Sequence, residues 1–143
     1  MKKTKILFLC TGNSCRSQMA EGWAHHLKEN TIEAYSAGIE KHGLNPTAVK
    51  VMSEAGVDIS EHQSTLIEEL PVQDFDYIIT LCGHADETCP FFPGKKIHKG
   101  FDDPPKLAEG SKDEEEGLHH YRRVRDEIKA FIESLPEALH ANH

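Results

Sequence analysis

The segment 4–10 (TKILFLC) is almost continuously apolar, whereas the chain beyond residue 16 is apolar only at every third or fourth position. The first pattern predicts a strand buried on both faces of a parallel sheet, and the second an amphipathic helix. That helix spans about 16–29, with Met19, Trp23 and Leu27 on one face beside Ala20 and Ala24. A second strand is expected over 32–36, with Gly38 opening a loop. Asn45-Pro46 supplies a cap and a first-turn proline for a helix with Ala48, Val49, Met52 and Ala55 facing inward, ended by Gly56.

Residues 60–70 predict a short helix with Leu66, Ile67 and Leu70 inward, stopped by Pro71. A third strand over 75–81 delivers Cys82 at its end, and 83–93, with Cys89 and two prolines, reads as an exposed loop or short helix. A fourth strand is expected near 96–99, then a turn-rich loop over 100–105 carrying Asp102 and Asp103. The last helix, 112–134, has Leu118, Tyr121, Val124, Ile128, Phe131 and Leu135 on one face, with its charged run 112–116 as a solvated first turn. The tail from Pro136 is expected to fray. Alternating strands and helices imply a single α/β domain around a parallel sheet, with the ligand site at the C-terminal ends of the strands. Cys10, Cys82 and the Asp102-Asp103 loop all fall at that edge. No repeat, linker or low-complexity segment interrupts residues 1–143.

Charge narrows the function. Sixteen Lys and Arg against 24 Asp and Glu give a net charge of -8, which argues against a nucleic-acid binder with a broad basic face. An anionic substrate would have to be held by a local nest rather than by the global field. The apolar run Ile6-Leu7-Phe8-Leu9 is too short for a signal peptide or a membrane span, so a soluble cytoplasmic protein with reduced thiols is expected. The four cysteines, Cys10, Cys15, Cys82 and Cys89, allow three complete pairings. Ten histidines raise a metal reading, but Cys82-x6-Cys89 with His84 lacks the paired spacing of a zinc site. No metal and no cofactor is expected.

The candidate chemistry lies in Cys10-Thr11-Gly12-Asn13-Ser14-Cys15-Arg16-Ser17, a thiol at a strand end, a loop and an Arg at a helix start. Loop N–H groups converging there, the helix N-terminus and the Arg16 fork suit a tetrahedral oxyanion. The same positive surroundings predict a lowered pKa for Cys10, whose thiolate is the reactive form. Cys15, at the loop-helix junction, reads as a packing residue that could pair with Cys10 under oxidation. Asp102 and Asp103 alone read as turn residues before Pro.

The run 10–17 resembles the phosphate-binding loop of the low-molecular-weight protein tyrosine phosphatase family, Cys, five residues, Arg, Ser. More closely, the chain is similar to the thioredoxin-coupled arsenate reductases of that family. The matching stretches are LCTGNSCRSQMAEGWA (9–24), YSAGIEKHGLNP (35–46), TLCGHADETCP (80–90), GFDDP (100–104) and RVRDEI (123–128). The resemblance implies a three-layer α/β sandwich with a four-stranded parallel sheet. It implies that Cys10 attacks arsenic and that Arg16 and the backbone of Thr11, Gly12, Asn13, Ser14 and Cys15 hold the oxyanion. By the same resemblance, Asn13 keeps the loop's shape, Ser17 donates to the Cys10 sulfur, and Asp103 protonates the leaving oxygen. Cys82 and Cys89 match the redox pair, thioredoxin is the implied recycling partner, and phosphate or sulfate would compete with arsenate. A monomer is expected. In some members a monovalent cation site uses Asn13, Ser36 and side chains near position 63. This chain has Gln63 and Thr65 where those members carry Thr and Asp, so the resemblance does not extend to that site.

The implied chemistry uses three thiols. Cys10 forms a covalent thio-arsenate adduct, Cys82 attacks the Cys10 sulfur so that arsenite leaves, and Cys89 attacks Cys82. A continuous helix over 82–89 would separate the two Cα atoms by roughly 10 Å, beyond the limit of about 7 Å for a disulfide. The segment 83–92 is therefore expected to be mobile and to refold on oxidation. Two rival readings share the loop. A phosphatase would need neither Cys82 nor Cys89 and typically has tyrosines after its Asp-Pro, where this chain has Pro105-Lys106. A non-catalytic oxyanion-binding or redox-sensing protein would bind without turnover.

Overall fold

The structure is a computed structural model that describes residues 3–72, 74–83 and 95–141. Strand β1 (Thr4–Cys10) lies inside a four-stranded parallel sheet of order β2-β1-β3-β4, flanked by β2 (Ile32–Gly38) and β3 (Tyr77–Thr80), with β4 (Lys95–His98) beyond β3. Its near-continuous apolar run follows from that position. Ile6 and Phe8 face one core with Ile79 and Leu81, while Leu7 and Leu9 face the other with Ala37, Ile67, Phe75 and Ile78. Strand register places Cys10 beside Gly38, so the β1 loop and the end of β2 open at the same edge.

The first core is closed by helices α1 (Arg16–Leu27), α2 (Pro46–Glu54) and α4 (Glu114–Glu133). Met19, Ala20, Trp23 and Ala24 of α1 are buried as the spacing predicts, and Trp23 Nε1 donates to the Arg125 carbonyl at 3.2 Å. Asn45 caps α2, its Oδ1 accepting from the N–H groups of Thr47 and Ala48, while its Nδ2 donates to Tyr121 Oη at 3.1 Å. Gly56 follows α2 with φ +88°, the left-handed conformation that terminates a helix. Asp113 caps α4 by accepting from the Glu116 N–H. Among the described residues, no helix is long and apolar enough to cross a membrane.

Five expectations are corrected. Strand β2 runs through Gly38 rather than stopping at Ser36, because it pairs with β1 as far as Cys10. The inner face of α2 is Ala48, Val51 and Met52; Ala55 is exposed at the C-cap and Val49 is only partly buried. The helix expected over 60–70 is reduced to one 3-10 turn, Ile67–Glu69. Leu66 forms a bridge with Gly38, Gly38 N–H donates to Thr65 O, and Asn13 Oδ1 takes the Thr65 N–H, so tertiary partners hold that backbone extended. The loop expected over 100–105 turns at Asp103 into helix α3 (Pro104–Glu109), with proline at its first position. The tail is not frayed throughout: α5 (Glu137–Ala141) follows Pro136 and buries Leu139 against the core.

Candidate active site

The loop 11–15 leaves β1 and enters α1 with its carbonyls turned away from a common centre. Thr11 O accepts from Glu40 N, Gly12 O from His42 N and Ser64 Oγ, Asn13 O from Gln18 Nε2, Ser14 O from Asn45 N, and Cys15 O from Met19 N. Among the described residues, none of the N–H groups of Thr11 to Arg16 is given to a backbone carbonyl. They are available for an anion at the N-terminus of α1, where the helix dipole adds favourable potential. The loop therefore presents a donor nest facing a cavity of about 340 Å³, lined by residues that include Cys10, Thr11, Ser14, Arg16 and Asp103.

Asn13 holds this shape at a backbone φ of +48°, a left-handed conformation that Asn tolerates better than most residues. Its side chain is fully buried and hydrogen-bonded through both its amide nitrogen and its oxygen. Nδ2 donates to Ser17 Oγ at 2.9 Å, and Oδ1 accepts from Thr65 N at 2.7 Å and from Gln18 Nε2 at 3.2 Å. Because Ser17 Oγ accepts from Asn13, its own proton is free to be directed elsewhere; among the described residues, no hydrogen bond joins it to Cys10. Gly38 is required by close approach, since a Cβ there would lie 2.8 Å from Asn13 N and 2.5 Å from Glu40 O.

A second thiol, Cys82, stands behind the cavity-lining Cys10 and Thr11. Cys82 acts on Cys10 as a direct side-chain neighbour, and Thr11 Oγ1 lies 3.1 Å from Cys82 Sγ. The lowered pKa expected for Cys10 is corrected here. Its interaction with the Cys82 side chain, and then burial, push the Cys10 thiol well above the ordinary thiol range, outweighing the opposing pull of Arg16. Cys15 is buried in the core, and desolvation pushes its thiol up to about 12, consistent with packing. Cys10 and Cys15 are free thiols.

Arg16 is 11% exposed and spans the cavity wall; its Nη1 donates to Phe101 O at 2.9 Å and its Nη2 lies 3.8 Å from Asp103 Oδ2. Asp103 faces the cavity, whereas Asp102 is drawn away to Arg123 Nη2 at 3.0 Å. Thus the structure brings together Cys10, Thr11, Gly12, Ser14, Cys15, Arg16, Asp103 and Cys82, with Asn13 and Ser17 as the buried support behind the loop. Cys89, His84 and the segment 84–94 lie outside the described residues. Sequence reasoning missed His42 and Asn45, which also line the cavity. The His42 ring covers Gly12, where a Cβ would lie 2.2 Å from Nδ1. The one sequence signal for them was the His42-Gly43-Leu44-Asn45-Pro46 loop after β2.

Comparison with known proteins agrees with this geometry. The model of the family described as low molecular weight phosphotyrosine protein phosphatase matches residues 5–143. An arsenate reductase of Bacillus licheniformis is 55% identical over 139 residues, covering 96% of this chain and 98% of the relative. One of Halalkalibacterium halodurans is 52% identical with the same coverage. Among solved structures, an arsenate reductase in its phosphate-binding state superposes with a TM-score of 0.72 at 35% identity, covering 92% of this chain and 95% of that one. A low molecular weight protein tyrosine phosphatase from T. tengcongensis gives a TM-score of 0.74 at 26% identity, covering 95% and 99%. A thioredoxin-dependent arsenate reductase of Corynebacterium glutamicum gives 0.66 at 26% identity, covering 99% of this chain and 64% of that one.

Proposed function

Because the chain belongs to the low molecular weight phosphotyrosine protein phosphatase family, we propose that it turns that family's anion loop to reduction, as an arsenate reductase recycled by thioredoxin. The observation that carries this reading is the Cys82 thiol set against Thr11 and Cys10, a second thiol at the nucleophile that phosphate hydrolysis does not need.

Hydrogen arsenate enters the nest of N–H groups and meets the Arg16 fork. The Cys10 proton, held by the Cys82 contact, passes to the arsenate dianion, leaving a thiolate beside dihydrogen arsenate. The thiolate forms an S–As bond. Asp103 gives its proton to the departing hydroxyl, which leaves as water. Ser17 supports the displaced sulfur charge through its unassigned proton. Cys82 then attacks Cys10 Sγ; an S–S bond forms, the S–As bond breaks, its electron pair reduces arsenic, and the Cys82 proton leaves with the arsenite. Cys89 attacks Cys82, releasing the Cys10 thiolate and leaving a Cys82–Cys89 disulfide, which a dithiol partner of the thioredoxin class reduces. A role in arsenical resistance follows from the activity, and the enzyme works as a cytoplasmic, single-domain monomer without a cofactor. Phosphate and sulfate compete for the nest, and slow hydrolysis of aryl phosphates accompanies the main activity.

Arsenite release with thioredoxin, thioredoxin reductase and NADPH tests the proposal. Wild type turns over, while Cys82→Ser and Cys89→Ser stop after forming an adduct or a mixed disulfide. Wild type that releases no arsenite overturns the reductase reading, and normal turnover by either variant overturns the relay.

A further inference from the structure

On the side of α1 away from the nucleophile cavity, Glu21 and His25 stand four residues apart, so their side chains share one helix face. His62, from the extended segment after α2, comes up against them. One donor atom from each of the three lies within 4.8 Å of the others. His25 Nε2 is 3.7 Å from Glu21 Oε2, and the His25 and His62 rings stand edge to face with centroids 6.1 Å apart. A cleft of about 210 Å³, lined by His25, His26, His62 and Asp58 among others, opens beside the cluster.

The surroundings set the donor atoms. Gln18 Nε2 donates to Asn13 O and to Gln63 O, so Gln18 Oε1 is an acceptor, and it faces His62 Nδ1 at 3.0 Å. His62 Nδ1 therefore carries the proton, and Nε2 keeps the lone pair. An imidazole oriented through its other nitrogen by an amide oxygen is the usual arrangement of a metal-ligating histidine. Ser36 Oγ likewise donates to Glu21 Oε1, which leaves Oε2 on the side of His25.

We propose that Glu21, His25 and His62 form a binding site for one divalent transition-metal ion of the zinc class, with water from the cleft completing the coordination. Two imidazoles and one carboxylate are a ligand set that zinc accepts, whereas two imidazoles suit neither an alkali ion nor magnesium. Ligand atoms around tetrahedral zinc sit about 3.4 Å apart, so the cluster draws in by about 1 Å on binding. His25, half exposed, supplies most of that movement. It gives up a 3.3 Å contact from Nε2 to Ala34 O, and its proton is carried by Nδ1. The site connects to the anion loop through His62, Gln18 and Asn13, so occupancy bears on the loop without touching its cavity.

Titration of the reduced full-length protein with Co2+, followed by visible absorption, tests the site and separates it from the thiols. One equivalent is expected to bind with ligand-field bands and without thiolate-to-metal charge transfer. His25→Ala, a change to the best helix former at a half-exposed position, is expected to weaken binding by about 100-fold or more, and His26→Ala to leave it unchanged. Absence of binding, equal affinity in His25→Ala, or a thiolate charge-transfer spectrum that disappears in Cys82→Ser overturns the proposal. The result does not depend on arsenate turnover.

Discussion

Thr11 Oγ1 stands 3.1 Å from Cys82 Sγ, so the first residue of the anion loop is bonded to a thiol just beyond the end of β3, seventy-one positions away. The contact ties the two halves of the proposed reaction together: Thr11 belongs to the nest that holds the oxyanion, and Cys82 is the thiol that would take over the Cys10 sulfur. Thr11→Val is expected to slow the Cys82 step by roughly fivefold, the value of one ordinary hydrogen bond, while Thr11→Ser keeps the wild-type rate. Single-turnover arsenite release after rapid mixing checks this, and an unaltered rate in Thr11→Val removes Thr11 from the mechanism.

The Cys10–Cys82 contact also predicts thiol reactivity. With its thiol pushed upward by Cys82 and by burial, Cys10 in the unliganded protein should be alkylated by iodoacetamide more slowly than a free thiol at pH 8. Cys82→Ala removes the largest upward influence, and each pKa unit recovered raises the thiolate fraction about tenfold. Peptide mapping of the Cys10 alkylation rate against pH measures the shift. A profile for Cys82→Ala that is identical to wild type contradicts the assignment.

Cys15 governs an alkaline limb of stability. Its pKa in the folded protein is pushed up to about 12 by burial, above the ordinary thiol value that applies when the chain unfolds. The folded state therefore retains a proton that the unfolded state loses. This contribution is complete below about pH 8.5 and declines as pH rises toward 12, by about 1.4 kcal/mol per pH unit for one retained proton. Cys10 acts in the same direction. Urea midpoints at pH 8 and pH 10 should fall less steeply in Cys15→Ala than in wild type, even though the variant is less stable at both. Equal slopes would remove Cys15 from the linkage.

Asn13→Ala is expected to cost about 2 kcal/mol or more, because it leaves the Thr65 N–H without its acceptor and the buried Ser17 Oγ without its donor, and places a residue less suited to positive φ in the loop. Phosphate affinity, measured by calorimetry, should fall in parallel, since the same side chain holds the nest. Retention of both stability and affinity would show that the loop keeps its shape without Asn13.

The adjacent acids separate cleanly. Asp103 faces Arg16 in the cavity, whereas Asp102 is engaged by Arg123. Asp103→Asn is expected to lower the arsenate-dependent rate by about 100-fold or more, the scale of a lost general acid. Asp102→Asn removes only a surface ion pair and should leave the rate within about twofold. Equal losses in both variants would point to loop positioning rather than proton transfer.

The strands and the long helices were legible along the chain because short continuous apolar runs, period-3.6 apolar spacing, the Asn45-Pro46 cap and the Gly56 stop act over a few residues. The oxyanion loop was legible too, since thiol, Gly, Arg and helix start lie within eight consecutive positions. Residues 60–66 misled because their apolar spacing suits a helix, while distant acceptors and donors on Gly38 and Asn13 hold the backbone extended.

The sequence by itself determined the local pieces: which segments pair or coil, where helices begin, and which loop can hold an anion. The tertiary structure alone decided what those pieces do to one another. It set Cys82 against Cys10 and so raised a pKa that the loop's own charges would lower. It divided two adjacent aspartates between a cavity and an ion pair, and it gathered Glu21, His25 and His62 onto one face. Hydrogen bonds and desolvation act over a few ångströms of space, and chain order carries no record of that distance until the sheet and helices have packed.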